Sequence, residues 1–306
     1  MARILKQQSK VKRNALYVFI WLLGMYIVFV AFRTLRQSIL LDSLDRVNVV
    51  YYGENVELFS FGIKDDVNYI VSFSHVDKVS VPGGYGRYNV GALGKLAQIE
   101  KDHPLIGRTF SSMVSAHVDY YVMPQNPDVY DGKGTDDPQF EQGQLISQLF
   151  SSSYSTNANF FDKLYISYLM SKHRQNDFAP LRSISEIVSG KEENFSERRF
   201  LKKYKGFFYH QSLREEGEQV KVLYDSYSSA VTLSRVIEGQ GIRVADLTES
   251  DVAKQVVGCR VEYRDNDRSK TVHYLQRTFG CTVQQGTTEG ADITLTVGAG
   301  LAERWK

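Results

Sequence analysis

The chain has 306 residues, enough for two ordinary domains and a short appendage. Its 37 basic and 35 acidic side chains leave a formal charge of only +2, so no overall field favours nucleic acid or an acidic polymer as partner.

The basic residues are placed unevenly. Arg3, Lys6, Lys10, Lys12 and Arg13 all precede an uncharged apolar run at residues 15–32. As a helix this run climbs about 27 Å, close to the hydrocarbon thickness of a bilayer. A cleaved signal peptide has a shorter apolar stretch and a small-residue cleavage site, and "VFVAFRTLRQ" offers no such site. Residues 15–33 therefore read as an uncleaved transmembrane helix. The cations before it, set against Arg33 and Arg36 after it, place residues 1–14 in the cytoplasm and the rest of the chain outside the cell membrane.

Residues 34–46 read as a juxtamembrane linker. In "VNYIVSFS" Val67, Tyr69, Val71 and Phe73 alternate, and a short turn leads to Val79 and Val81, which predicts a β-hairpin. After a burst of glycines, Val90, Leu93, Leu96, Ala97 and Ile99 keep a helical period that Pro104 closes. "HVDYYVM" reads as a strand, and residues 124–138 as an exposed loop rich in Pro, Gly, Asp and Asn. Two helical stripes follow. Leu145, Ile146, Leu149 and Phe150 form one, and Phe160, Phe161, Leu164, Tyr165, Tyr168 and Leu169 form the other, with Thr156 or Asn157 as its cap. Arg198, Arg199, Lys202, Lys203 and Lys205 read as a solvated helix face whose field Glu192, Glu193 and Glu197 partly cancel.

The C-terminal part repeats itself. At a shift of 39 positions Val222 falls on Val261, Tyr224 on Tyr263, Thr232 on Thr271, Gly241 on Gly280 and Val244 on Val283. Each copy reads strand, polar turn, amphipathic helix, glycine, strand, which is a duplicated βαβ unit. "DITLTV" supplies a closing strand. Cys281 begins the return strand of the second copy and Cys259 sits just before its first strand, and two readings stay open for them: a disulfide, or two buried thiols.

Familiar catalytic signatures are missing. Gly94-Lys95 is followed by Leu96, so the glycine burst is not a Walker A loop, and Asn89 stands where a dinucleotide fingerprint needs its third glycine. No G-x-S-x-G elbow occurs, and the six histidines lack metal-ligand spacing.

"VPGG" followed by "RYNVGA", together with "HVDYYVM" and "SYSTNANFFDKL", resembles motifs of the LytR-CpsA-Psr family of bacterial cell-envelope proteins. The likeness covers residues 47–187. Residues 220–297 resemble the LytR C-terminal domain that often follows. The resemblance implies an α/β chain made of one transmembrane helix, a LytR-CpsA-Psr-like α/β domain at 47–212 and a small βαβ-βαβ(β) domain at 218–300. It further implies a pocket for a polyprenyl pyrophosphate, held by arginines and magnesium.

Here the departures matter. Gly83 and Gly84 stand where the family has its Arg-Asp pair. Phosphoryl transfer is positioning plus charge neutralisation, so loss of the cations should abolish it. Glycines there still offer backbone amides that can form an anion nest. Arg87, Asn89, Lys95 and Arg108 remain as candidate anion-binding residues, and Asp65 and Asp66 as metal candidates. The expectation is a non-catalytic, membrane-anchored scaffold that needs no cofactor and has a wall polymer, polyprenyl lipid or envelope protein as partner. An active, magnesium-dependent glycan-phosphate transferase and a structural subunit of a surface assembly are the alternatives.

Overall fold

The computed structural model describes residues 2–36, 38, 45–131, 142–188, 192–264 and 269–306. Two compact units are present: Met1–Ser43 with Ala158–Tyr168, and Leu44–Asn157 with Leu169–Lys306.

In chain order the first elements are α1 (Ala2–Arg36), β1 (Arg46–Tyr51), β2 (Val56–Gly62), β3 (Asn68–Phe73), β4 (Lys78–Val81), β5 (Gly86–Asn89), α2 (Leu93–Ile99), α3 (Leu105–Val114) and β6 (Tyr120–Pro124). Then come α4 (Gln142–Phe150), β7 (Tyr154–Thr156), α5 (Phe160–Lys172), β8 (Phe178–Arg182), β9 (Ser185–Val188), β10 (Glu192–Phe195), α6 (Glu197–Tyr204) and α7 (Gln211–Glu216). The C-terminal part holds β11 (Gln219–Tyr224), α8 (Tyr227–Gly239), β12 (Arg243–Glu249), α9 (Asp251–Gln255), β13 (Cys259–Tyr263), α10 (Lys270–Phe279), β14 (Thr282–Gln285), β15 (Ile293–Val297) and α11 (Ala299–Trp305).

In the first unit, residues Tyr17–Arg36 of α1 have a mean hydropathy of 2.1 and bury none of their surface, the composition of a helix able to cross a bilayer. Most of the expected linker at 34–46 lies outside the described residues, as does the loop at 132–138.

The second unit holds three sheets. The largest has the order β7-β6-β1-β2-β3-β8. β1 and β2 lie at its centre with every residue buried. β2 puts Glu57 on one face with Phe59 and Phe61 and Ser60 on the other with Val56 and Leu58, so neither face reads as polar, whereas β1 alternates Arg46 and Asn48 with Val47 and Val49 and buries all four. A smaller sheet, β5-β4-β10-β9, lies beside it in sequence, and β12-β11-β15-β13-β14 forms the third.

The hairpin expected from Val67 to Val81 is not formed. β3 pairs with β2 and β8, whereas β4 pairs with β5 and β10 in another sheet. The turn between them exists, with the Asp77 amide donating to Ser74 O, but it carries the chain from one sheet to the next. The true hairpin is β4-β5, built across the glycines. Val79, Val81, Val71 and Phe73 nonetheless share one core. Helix α3 is buried along nearly its whole length, Ser111 and Ser112 of its polar side included, although Leu105, Ile106, Phe110, Met113 and Val114 keep a helical period. Asn159, rather than Thr156 or Asn157, caps α5, its side chain accepting from the Phe161 and Asp162 amides. The basic residues of α6 lie on its exposed face over buried Phe200 and Tyr204.

The duplication is visible in three dimensions. β11-α8-β12 and β13-α10-β14 are both parallel βαβ units, and Gly241 and Gly280 follow their helices at φ 98° and 70°. Glycine adopts this left-handed conformation without the Cβ penalty other residues meet. β15 does not close the chain but joins the copies, parallel to β11 and antiparallel to β13, and α11 follows it. A disulfide links Cys259 to Cys281 across the starts of β13 and β14.

Candidate functional site

The glycine burst shapes the site, though not through phosphate. Gly83 and Gly84 have φ of 101° and 79°, and both amides point at one oxygen, so the nest exists. That oxygen is the main-chain O of Lys306, at 3.0 and 3.3 Å. The remaining anion candidates do not converge on it. Arg87 is exposed on β5 and donates to Lys78 O, and Asn89 is exposed and gives no side-chain cap to the turn that follows. Lys95 donates to Gln98 Oε1 at 2.8 Å on α2, and Arg108 on α3 is paired with Asp102. Asp65 is engaged by buried Arg46 at 3.0 Å, where burial pulls the guanidinium's pKa down and the carboxylate opposes the pull. Asp66, at φ 55°, pairs with Lys172. Both carboxylates face cations, a poor fit to a divalent ion, and among the described residues no three His, Cys, Asp or Glu side chains group as metal ligands.

A cleft of about 250 Å³ opens instead where β1 ends. Tyr51, Tyr52, Glu54, Glu57, Tyr130 and Tyr154 line it, with Asn55, Gln144 and Gln148 completing the polar wall. Parallel strands β1 and β6 both end here, the edge at which open α/β sheets present ligands.

The two later glycines of the burst make this wall possible. A Cβ on Gly91 would lie 1.9 Å from Tyr130 O, and one on Gly94 would lie 2.4 Å from the Tyr52 ring. Their absence lets the loop after β6 close down, with the Tyr130 amide donating to Gly91 O and the Gly91 amide to His75 O. Tyr52 donates its hydroxyl to Val90 O at 3.0 Å and meets Tyr130 edge-on, with ring centroids 6.1 Å apart. His75 stacks on Tyr130 at 5.1 Å and donates from Nε2 to Gly53 O at 3.1 Å. Burial raises the pKa of Tyr51, Tyr52 and Tyr130, and Asp128 and Glu54 add to the rise at Tyr130, so all three stay neutral phenols. The Tyr51 hydroxyl is sealed from water and makes no hydrogen bond among the described residues.

Chemically the cleft offers aromatic faces, neutral hydroxyls and amides, and two carboxylates. None of the described residues lining it is Lys or Arg. Sequence reasoning missed the cleft because its tyrosines come from distant segments. The spacing of Gly91 and Gly94 was the available signal.

The fold and site define an α/β protein with one N-terminal apolar helix. No family model and no curated protein matches the chain. Solved structures do. Bacillus subtilis TagT is 13% identical over 53% of this chain and 89% of that one, with a TM-score of 0.36. Bacillus subtilis TagV is 9% identical over 52% and 94%, with a TM-score of 0.37. A third is the LytR-CPS2A-psr family protein YwtF (TagT) with bound octaprenyl pyrophosphate lipid, 13% identical over 52% and 87%, with a TM-score of 0.34.

Proposed function

We propose that the chain is a membrane-anchored, extracytoplasmic envelope protein whose cleft binds a glycan without transferring phosphate. In this reading α1 is the anchor, residues 47–212 form a degenerate LytR-CpsA-Psr-like domain, and residues 218–300 form a LytR C-terminal-like domain. No metal cofactor is required. Its partners are the bilayer and a wall polymer, a polyprenyl lipid or another envelope protein.

The observation that carries the reading is the charge of the cleft. Glu54 and Glu57 stand in its wall with no Lys or Arg among its described residues. A pyrophosphate in that place would meet repulsion and no guanidinium, whereas sugar hydroxyls find acceptors and sugar C–H faces find tyrosine rings.

The full chain in nonionic detergent, titrated with a soluble glycan and with a polyprenyl-pyrophosphate glycan plus magnesium, tests this. Glycan binding should weaken roughly tenfold or more in Tyr130→Ala, the loss expected on removing one well-placed aromatic contact. No lipid phosphate should be released. Magnesium-dependent release that Arg87→Ala abolishes would instead establish the transferase.

A further inference from the structure

Helix α5 leaves an apolar stripe uncovered. Phe160, Leu164 and Tyr168 recur every four residues on one face and are 59%, 47% and 60% exposed. On the same helix Asp162 and Ile166 are buried, so the stripe is the outward side of a helix whose other side is packed. The stripe extends about 12 Å along the axis.

Its place in the first unit says what covers it. α1 ends at Arg36, whose guanidinium lies 4.4 Å from the Phe32 ring centroid, the pairing of cation and aromatic that marks a span leaving the hydrocarbon. Two residues later Ser38 donates its hydroxyl to Asp162 Oδ1 at 2.6 Å. Both partners are buried, Ser38 to 1% and Asp162 to 3% exposure. The first turn of α5 is thereby tied to the chain at the point where α1 emerges. Phe160 lies half a turn from that tie and Leu164 half a turn to the other side.

We infer that α5 lies on the bilayer surface, with Phe160, Leu164 and Tyr168 seated in the headgroup region beside the end of α1. The stripe has the chemistry of that layer: two aromatic side chains, one bearing a hydroxyl, around an aliphatic one. The occupant is lipid. A soluble protein partner would need a surface able to reach within a few residues of the span, where headgroups already stand.

The inference rests on α1 being a membrane anchor, and the test separates the two. The described cysteines are both in the disulfide, so one introduced cysteine carries the only label. The full chain is reconstituted in phosphatidylcholine and phosphatidylglycerol vesicles with a nitroxide at Phe160→Cys, Leu164→Cys or Tyr168→Cys. Tyr26→Cys serves as the lipid reference and Thr282→Cys as the water reference. Collision rates with oxygen and with a water-soluble nickel complex are then measured. All three stripe positions should shift from the water reference toward the lipid one, while Lys163→Cys stays between stripe and water. Stripe positions that match Thr282→Cys while Tyr26→Cys is lipid-like overturn the inference and leave the anchor standing. A Tyr26→Cys label as water-exposed as Thr282→Cys overturns the anchor and the inference together. Labels shielded from both reagents show a protein contact in place of lipid and also overturn it.

Discussion

Gly91 shows what a single missing side chain does in this chain. Its Cβ would fall 1.9 Å from a backbone oxygen, that of Tyr130, and backbone cannot swing aside as a side-chain tip can. Gly91→Ala must therefore push the loop at residues 125–131 away from α2. The expected cost is about 1–3 kcal/mol, the usual range for overpacking, with a matching fall in glycan affinity as Tyr130 leaves Tyr52. Chemical denaturation and calorimetric titration of the variant check both. Unchanged affinity would mean that Tyr130 does not help to hold the glycan. The residue scale was partly legible beforehand. That Gly83 and Gly84 form a nest followed from their residue type. That Lys306 supplies the oxygen in it required knowing where a segment more than two hundred positions away returns, which no local pattern carries.

Elements were most legible where the polar face is exposed to solvent and least where polar side chains are buried with the apolar ones. The βαβ copies showed themselves because α10 and the turns keep a solvent side, and the register Val261↔Val283 in the parallel pair places their strands side by side. In α3 and β1 the period is present, with Arg108, Ser111 and Ser112 opposite Leu105, Ile106, Phe110 and Met113, and Arg46 and Asn48 alternating with Val47 and Val49, but most of the polar side is buried as well. The false hairpin has the same origin: Val71 and Val79 do face one core, but alternation reports a face and says nothing about the neighbouring strand. The disulfide belongs to this scale. It closes a segment of 22 positions around α10, and loop-closure entropy predicts a contribution of about 3 kcal/mol. Cys259→Ser with Cys281→Ser should lower the C-terminal module's stability by about that amount and leave glycan binding intact, because the cleft lies in a different sheet. Equal denaturation midpoints with and without reductant would contradict the entropic account.

The whole of the second unit depends on a junction between two hydrophobic cores, one drawn from residues 50–208 and one from residues 213–305. The junction is tight. A Cβ on Gly239 of α8 would lie 1.5 Å from Ser115 O at the end of α3. It is also polar in an unusual way, since two histidines sit in it. His117 approaches Phe279, and its Nδ1 is sealed without a hydrogen bond among the described residues. His210 is buried against Tyr274, donates its amide to Gln240 O, and leaves Nε2 similarly unmatched. Burial lowers both pKa values to about 4. For His117 the charge of His210 adds to the fall; for His210 Asp45 opposes it and Arg46 adds to it. An unfolded histidine titrates near 6.5. The unfolded chain therefore takes up protons first as pH falls. Stability from these groups is complete above about pH 7, drains away between 6.5 and 4, and changes little below. The loss is on the order of 3 kcal/mol per histidine at most, and less where the two rings share one charge. Thermal unfolding of the full chain in detergent should show a midpoint that falls steadily across this window. His117→Asn and His210→Asn should each flatten the slope, since an amide keeps the polarity and removes the proton. A wild-type midpoint that stays level from pH 7 to 4.5 would mean that water reaches these rings and that the junction is looser than its packing implies.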